Sequence, residues 1–343
     1  MKKTVLFNLA LFIFSFHLYA ESPEGLEKFS PGARYIGSGR AGLANVESTI
    51  SLFWNPAGLA SMIEPELVTE TPPSTKGPDE FFTDEAFEKL FEESTEKQRI
   101  SKVVERSKFH MELMGSYTNL TMDRQELYSG ISFTLFKGVF GISTLLNKVT
   151  GIDGYDVNGN YTGNLKYQTA GIITGYAWQS GASKFGFSFS GYQESLDTLL
   201  VYGGGINAGW QMKPIPLLDI GFSIKNLAGA YNLTGVENID GIRKLDTIIL
   251  AGFTLSSPPP SSSIKLLVSF EYNMDAVDTD SFYGCLGLVY NVTKNFNIMA
   301  GVYRKTPSFG FGINVRNIAL SFAVNKDPLN TGFQEFAEVR LFF

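Results

Sequence analysis

Few residues in this chain are of the types that carry out catalysis, and their placement argues against an enzyme. The sequence has two histidines, His17 and His110, and a single cysteine, Cys285. A serine hydrolase needs a histidine beside its serine, but His17 lies in a stretch that we expect to be removed, and no G-x-S-x-G motif occurs. We therefore predict no catalytic residue. We expect His110 to be a rim residue and Cys285 a small residue of a wall.

Metal chemistry finds equally little support in the sequence. One cysteine and one histidine beyond residue 20 are too few for a zinc cluster. The polar run at 153–160 is only loosely like a calcium loop, because Gly154 would occupy the first ligand position and the closing glutamate is missing. We expect this run to be a polar outer loop, and we predict no metal. The net charge of -6 also excludes nucleic acid, which needs a basic stripe.

The segment Gly37-x-Gly39-x-x-Gly42 matches the letters of a dinucleotide-binding fingerprint. That fingerprint works only between a buried strand and a helix inside a βαβ unit. The surrounding sequence predicts sheet alone, so we expect no nucleotide and no other cofactor. The three glycines are better explained as positions that allow close packing inside the fold.

The N-terminus has the composition of an export signal. Lys2 and Lys3 form a charged n-region, residues 4–16 are mostly apolar, and Leu18-Tyr19-Ala20 resembles a cleavage site. We therefore predict a signal peptide over 1–20 and a mature chain that begins near Glu21. No later run of 18 apolar residues occurs, so we expect no helical membrane span.

The strands that follow alternate between two faces. Counting back from the terminus, one face carries apolar residues: Phe343, Leu341, Val339 and Ala337. The other face is mostly polar and includes Arg340 and Glu338. Because side chains in a strand have a period of two, this strand has one face for lipid and one for a lumen. We expect Phe343 to be the terminal residue used in membrane assembly.

The whole of 109–343 has this strand pattern, with 29 Phe, 15 Tyr and 35 Gly in the chain. We predict an all-β fold, an outer-membrane antiparallel β-barrel of about 14 strands. The predicted strands are 109–120, 125–136, 138–150, 165–178, 183–194, 199–211, 216–226, 245–255, 262–273, 280–291, 295–304, 308–315, 317–325 and 333–343. The longest connections, 151–164 and 227–244, then fall on the outer side. The alternative is a soluble exported β-protein or an enzyme.

Some predicted strands are apolar on both faces, as in 247–255, so their inward positions must meet a plug or an apolar ligand. By register alone, we expect Leu145, Leu267 and Met299 to face the lumen and contact such a ligand. Before the barrel, residues 21–63 form a cap rich in Gly, Ala and Ser. Residues 64–108 form a charged insert in which Phe87, Leu90 and Phe91 recur at helical spacing. The insert is either a solvated periplasmic helix or a docking surface for a protein partner.

The cap carries the most specific motif of the chain. PGARYIGSGRAG at 31–42 is followed by LFWNPAGL at 52–59. This resembles the FadL superfamily of outer-membrane long-chain fatty-acid transporters, and more closely its PorV/PorQ-like branch. Members of that branch open with a PGARxxGxGxA segment and carry a W/Y-NPAGLA signature in an N-terminal hatch that plugs the barrel. Asn226-Leu227-Ala228-Gly229 is also similar to an N-L-G strand end of that branch, with Ala228 as an extra residue.

The resemblance implies a function and a division of the chain. It implies a hatch over 21–63, with gating assigned to Asn55, Pro56, Ala57 and Gly58. A purely structural turn at these residues is the alternative. It implies uptake of long-chain fatty acids or other hydrophobic small molecules, or else a PorV-like barrel that anchors or shuttles exported proteins. The expected partners are outer-membrane lipid, a hydrophobic ligand, the barrel assembly machinery and a protein at 64–108, all in the bacterial outer membrane.

Overall fold

The computed structural model describes the following residues: Leu26, 29–63, 110–155, 158–197, 199–234, 241–258, 263–275, 281–327 and 332–343. The predicted signal peptide, 1–20, and the predicted insert, 64–108, lie outside these residues, so both stay predictions. The described part of the predicted hatch and the strands that follow it belong to one compact unit.

Sixteen strands are found among the described residues. They are β1 (Met111–Leu120), β2 (Arg124–Leu135), β3 (Gly138–Tyr155), β4 (Tyr161–Ser180), β5 (Ser183–Leu196), β6 (Leu199–Ile215), β7 (Leu218–Lys225), β8 (Ala230–Thr234), β9 (Gly241–Lys244), β10 (Ile248–Ser256), β11 (Ile264–Asn273), β12 (Phe282–Asn291), β13 (Phe296–Tyr303), β14 (Thr306–Val315), β15 (Ile318–Lys326) and β16 (Phe333–Phe342).

Fourteen of these strands close into an antiparallel barrel. Neighbours in sequence pair along the wall, β7 pairs with β10, β5 pairs with β6, and β1 pairs with β16 to join the first strand to the last. The predicted fold class is therefore confirmed, including the strand number. Each barrel strand overlaps a predicted one, because alternation of apolar and polar residues locates strands well even where their ends are uncertain.

The alternation has the predicted direction. Along β16 exposed and buried residues alternate, with Val339 exposed and Glu338 and Arg340 buried. The exposed face of the barrel carries apolar side chains on strand after strand, as a lipid-facing surface requires. Near the turn between β4 and β5, Trp178 stacks on Phe185 with ring centroids 5.7 Å apart. Aromatic groups at this level are typical of a membrane interface.

The connections differ from the sequence prediction in one respect. Strands β3 and β4 run on to Tyr155 and from Tyr161, so most of the predicted outer loop 151–164 is sheet. The predicted loop 227–244 contains the hairpin β8–β9, which pairs onto the outer part of β6. Polar residues extend a strand where ladder bonds to a neighbour are available, which composition alone does not reveal.

The wall changes partners at Asn226. β6 pairs with β8 over Leu200–Gly204 and with β7 over Ala208–Ile215. Between them, Asn226 has φ 52°, in the left-handed region, and its backbone N–H donates to Asn207 Oδ1 at 2.9 Å. Asparagine tolerates this conformation better than most residues, so the motif at 226–229 is a strand end, as its likeness to an N-L-G segment predicts.

Three short helices form the described hatch: α1 (Ala33–Gly37), α2 (Ser51–Trp54) and the 3-10 helix η1 (Pro56–Ile63). Among the described residues, no helix has the length and hydropathy needed to cross a membrane. The hatch lies inside the barrel, where its helices contact strands on both sides of the lumen.

Candidate functional site: the hatch and its seat

The core of the hatch is aromatic. Trp54 stacks on Tyr35, meets the edge of Phe53 at 4.9 Å, and donates its indole N–H to the carbonyl of Pro31 at 3.0 Å. All three rings are almost completely buried. A buried tryptophan whose N–H is satisfied can fix several loop segments at once. The hatch therefore has a small core of its own, although its helices are only four to eight residues long.

The Asn55-Pro56-Ala57-Gly58 turn joins the hatch to the wall. Asn55 is fully buried and extended, with φ -153° and ψ 100°, which fits a residue before proline. Its side-chain amide donates to the carbonyls of Leu43 and Trp210, each at 3.3 Å. Its Oδ1 accepts the N–H of Ala57 at 3.3 Å. One side chain thus holds the turn, another hatch segment and strand β6 together.

Glycines of the wall make room for this turn. A Cβ added to Gly209 would lie 2.1 Å from Asn55 Oδ1, and one added to Gly186 would lie 2.4 Å from the carbonyl carbon of Pro56. Similar crowding occurs at six further wall glycines: Gly130, Gly171, Gly175, Gly221, Gly287 and Gly301. We call the part of the inner wall formed by these eight glycines and their neighbours the seat of the hatch. Because glycine has no side chain, the backbone of the hatch can approach the backbone of the barrel directly.

The three glycines of the G-x-G-x-x-G segment behave differently from one another. Gly39 has φ 68° and lies against Gly301 of β13, so both its conformation and its space require glycine. A Cβ on Gly37 would meet the Cα of Gly310 at 3.2 Å. Gly42 packs on Tyr35 and Asn45 within the hatch. The predicted packing role thus corresponds to direct wall contact at Gly37 and Gly39 and to internal contact at Gly42.

Polar side chains of the wall donate hydrogen bonds to carbonyl oxygens of the hatch. Tyr128 donates to Thr49 O at 3.0 Å, Ser188 to Leu52 O at 3.1 Å, and Ser269 to Ala41 O at 2.7 Å. Gln211 Nε2 reaches two hatch carbonyls, at 3.1 and 3.0 Å. These bonds satisfy loop backbone that is buried inside the barrel and would otherwise be costly to desolvate. The inner face is polar because its partner is hatch backbone.

The predicted lumen residues all point inward, but they contact the hatch. Leu145 is fully buried in the cluster that contains Leu52 and Trp54. Leu267 and Met299 are buried with Ala41. Ile248 and Leu250, from the strand predicted to be apolar on both faces, pack on Leu43 of the hatch, so the expectation of a plug at that strand is confirmed. Contact of Leu145, Leu267 or Met299 with a ligand stays a prediction.

Two cations lie against the aromatic core. Lys225 Nζ, from the end of β7, lies 4.3 Å from the Phe53 ring centroid and 4.6 Å from that of Trp54. Arg40 of the hatch lies 4.1 Å over the ring of Tyr303 on β13. A desolvated cation over an aromatic face contributes about 2 kcal/mol. The cations therefore add directional contacts between hatch and wall that neither a glycine nor a serine could provide.

Ionic groups collect at another part of the hatch. Arg34 forms an ion pair with Glu47, and their side chains are 34% and 45% exposed. Burial acts to raise the pKa of Glu47, but the positive charges of Arg34 and Arg340 outweigh it and hold that pKa at about 2. In turn, the carboxylate of Glu47 raises the pKa of Arg34. Both groups are therefore charged at neutral pH.

A small cavity adjoins these charges. It has a volume of about 50 Å³ and lies between the hatch, strands β11 and β12, and strand β16. Its charged lining residues are Arg34, Glu47, Lys265, Glu338 and Arg340. The cavity has room for a few atoms only.

The structure also locates the three residues that the sequence assigned to the rim, to the wall and to the terminus: His110, Cys285 and Phe343. His110 is exposed just before β1, where its backbone N–H donates to Thr134 Oγ1 at 3.0 Å. Cys285 is buried on the inner face of β12. Phe343 is 60% exposed, and its backbone N–H donates to Met111 O at 2.8 Å. Any role of Phe343 in assembly stays a prediction.

The seat itself was not identified from sequence. The wall glycines and wall donors are spread over eight strands, and each occupies an inward position within its strand. One signal in the sequence could have identified the seat. It is the repetition of small or hydroxyl side chains at inward positions near the centres of the strands. Their common partner emerges only when closure of the barrel brings the strands around one plug.

The fold is a closed antiparallel β-barrel with an apolar outer face and a plug formed by the described N-terminal residues. The toluene transporter TodX of Pseudomonas putida has this fold, with a TM-score of 0.52, 11% identity, and coverage of 89% of this chain and 96% of TodX. For the monoaromatic hydrocarbon channel CymD the values are 0.53, 12%, 91% and 98%. For a FadL homologue of Pseudomonas aeruginosa they are 0.54, 10%, 92% and 98%. No protein-family model and no curated protein matches the sequence.

Proposed function

We propose that this protein is an outer-membrane transporter that takes up long-chain fatty acids or other hydrophobic small molecules. The observation that carries this proposal is a plug seated inside a closed barrel whose outer surface is apolar. Apolar solutes cross a polar outer leaflet poorly, and a barrel gives them a route. The names of the three similar structures, a toluene transporter, a hydrocarbon channel and a FadL homologue, support the same class of ligand.

Passage requires that the hatch shift, because hatch backbone occupies the lumen against the wall glycines. Asn55 bonds to its own turn, to another hatch segment and to β6. A rearrangement at Asn55-Pro56-Ala57-Gly58 would therefore release contacts on both sides at once. We assign the gating of the hatch to these four residues.

Uptake of a labelled long-chain fatty acid by cells that lack their own transporter tests the proposal. The cells carry empty vector, the intact protein, or the variant Asn55→Ala with Pro56→Ala. The matched control, Asn314→Ala with Pro307→Ala, changes the same residue types at exposed positions of β14. At equal outer-membrane levels we expect uptake with the intact protein and the control, and altered uptake with the hatch variant. No uptake by a correctly assembled intact protein would contradict transport of fatty acids.

The same experiment examines location. We propose export by a signal peptide at 1–20, insertion by the barrel assembly machinery with the aid of Phe343, and residence in the outer membrane among its lipids. Fractionation of these cells shows in which compartment the protein resides. Gel migration with and without heating then shows whether the barrel is inserted and folded. Recovery of the protein in a soluble periplasmic fraction would contradict this location.

A second candidate function follows from the polar seat. The inner wall that surrounds the hatch carries hydroxyl and amide groups, and these bind hatch backbone. A lumen filled in this way suits a PorV-like barrel that anchors or shuttles exported proteins, with 64–108 as the docking segment. Deletion of 64–108 separates the two functions. A transporter without this segment would keep its uptake, whereas a docking barrel would lose the partner that co-purifies with the intact protein.

A further inference from the structure

Two carboxylates of the barrel wall face backbone N–H groups of the hatch. Glu112 of β1 is fully buried, and its Oε1 lies 3.4 Å from the N–H nitrogen of Thr49. Glu338 of β16 is 5% exposed, and its Oε2 lies 3.5 Å from the N–H nitrogen of Arg34. A buried carboxylate needs donors, because its desolvation is otherwise costly. The hatch backbone supplies one donor to each carboxylate.

Both carboxylates lie at one seam of the barrel, where the first strand meets the last. Ser116, which pairs with Glu338 across this seam, accepts the N–H of Gly32 at 3.3 Å. In these contacts the wall side chain is the acceptor and the hatch backbone is the donor. The direction is opposite in the bonds of Tyr128, Ser188 and Ser269, which donate to hatch carbonyls. The bond from the Arg34 N–H to Glu338, whose carboxylate pairs with Arg340, is therefore charge-assisted, whereas the bonds made by Ser116 and by those three side chains are neutral. Charge-assisted hydrogen bonds are about twice as strong.

The hatch has space beside β16, one of the two strands of the seam, and beside β11 and β12. The cavity of about 50 Å³ borders Glu338 and Arg340 of β16 and Arg34 and Glu47 of the hatch. At β5 and β6 the hatch lies directly on Gly186 and Gly209, where even a methyl group would clash. Movement of the hatch would therefore begin on the β16 side of the seam, where a charged contact and free space occur together.

We propose that Glu112 and Glu338 form a latch that holds the hatch closed against the β1–β16 seam. Arg340, whose Nε lies 3.3 Å from Glu338 Oε1, positions that carboxylate toward the hatch. The latch rests on the proposed function in one respect, namely that the hatch moves. It adds which contacts must break first, and it assigns them to wall residues outside the Asn55–Gly58 turn.

Conductance of the full-length protein in planar bilayers tests the latch, because ions report an open lumen whether or not any ligand is transported. The test variant is Glu112→Gln with Glu338→Gln, which keeps side-chain shape and replaces each carboxyl group by an amide. Glu335→Gln, at an exposed position of the same strand, is the matched control. We expect conducting events in the double variant at about tenfold the frequency of wild type or more, given the strength of a charged hydrogen bond. The control should resemble wild type.

A tether identifies the source of the current. Thr49 Oγ1 and Ser132 Oγ are 2.7 Å apart, so Thr49→Cys with Ser132→Cys in a Cys285→Ala background can join hatch to wall. Oxidation should silence the events of the double variant, and a reductant should restore them. An assembled double variant as silent as wild type, or a current that survives the tether, would overturn the latch. If the double variant does not assemble, the single variants decide by the same readings. Failed fatty-acid uptake with a working latch would reject only the proposed ligand.

Discussion

The indole ring of Trp54 stacks on the phenol ring of Tyr35, with centroids 4.1 Å apart and planes inclined by 26°. The two residues are 19 positions apart and belong to different hatch helices, α1 and α2. Their contact therefore joins the two motif segments of the hatch sequence, PGARYIGSGRAG and LFWNPAGL, into one body. A hatch held by this pair can move or stay as a unit.

Removal of the ring should loosen the hatch without unfolding the barrel. Trp54→Ala deletes a buried ring and leaves a cavity, which costs about 3–5 kcal/mol. The loss falls on the hatch, since the barrel strands keep their ladders. Hydrogen exchange of hatch amides should rise while strand amides stay protected. The comparison is Trp178→Ala on the outer face, which should leave hatch exchange unchanged, and equal exchange in the two variants would refute this account.

A methyl group on one wall glycine should displace the turn that contains Asn55. Gly209→Ala would place a Cβ 2.1 Å from Asn55 Oδ1, so the side chain of Asn55 must give up its bond to Trp210 O. Overpacking of this kind costs about 1–3 kcal/mol. Gly284→Ala is the control, because nothing lies within 4 Å of the added methyl group. The midpoint temperature of thermal unfolding should fall for Gly209→Ala and stay unchanged for Gly284→Ala. An equal fall in the two variants would argue against the close fit between Gly209 and Asn55.

Substitutions at two adjacent residues of β16, Val339 and Arg340, should have different effects. Val339 is 39% exposed on the lipid face and Arg340 is 7% exposed on the inner face. Val339→Arg places a charge in lipid, which costs roughly 2–4 kcal/mol at the midplane and less near the interface, so assembly of the barrel should drop. Arg340→Ala should assemble but leave Glu338 without its ion-pair partner and raise conductance. Heat-dependent gel migration and conductance measure the two effects, and a reversed pattern would disprove the register.

Acid should weaken the hatch through Glu47. Its pKa is about 2 in the folded protein and 4.5 ordinarily, so it favours the folded state above 4.5 and loses that contribution as the pH falls toward 2. Because both partners are more than a third exposed, the contribution is at most about 1 kcal/mol. Glu47→Gln should flatten the stability of the hatch between pH 4.5 and 2, measured by hydrogen exchange. An unchanged slope would exclude this pair as the cause.

The barrel was accessible from sequence because its determinants are local. Alternation in 333–343 requires only that one face meet lipid and one a lumen, and the same rule located all fourteen strands of the wall. The hatch segment was recognisable from its motif, and close packing was expected at Gly37 and Gly39. The hairpin β8–β9 was missed, because its pairing with β6 depends on where β7 leaves the wall at Asn226.

The pattern along the chain suffices to predict the class of fold, because every second residue of a strand faces the same environment. Contacts between the hatch and its seat are different in kind. Glu112 meets Thr49 across 63 positions and Glu338 meets Arg34 across 304. No local pattern relates residues so far apart, because their proximity results from closure of the barrel around a folded plug. Closure is what turns scattered glycines, serines and carboxylates into a seat, a seam and a latch.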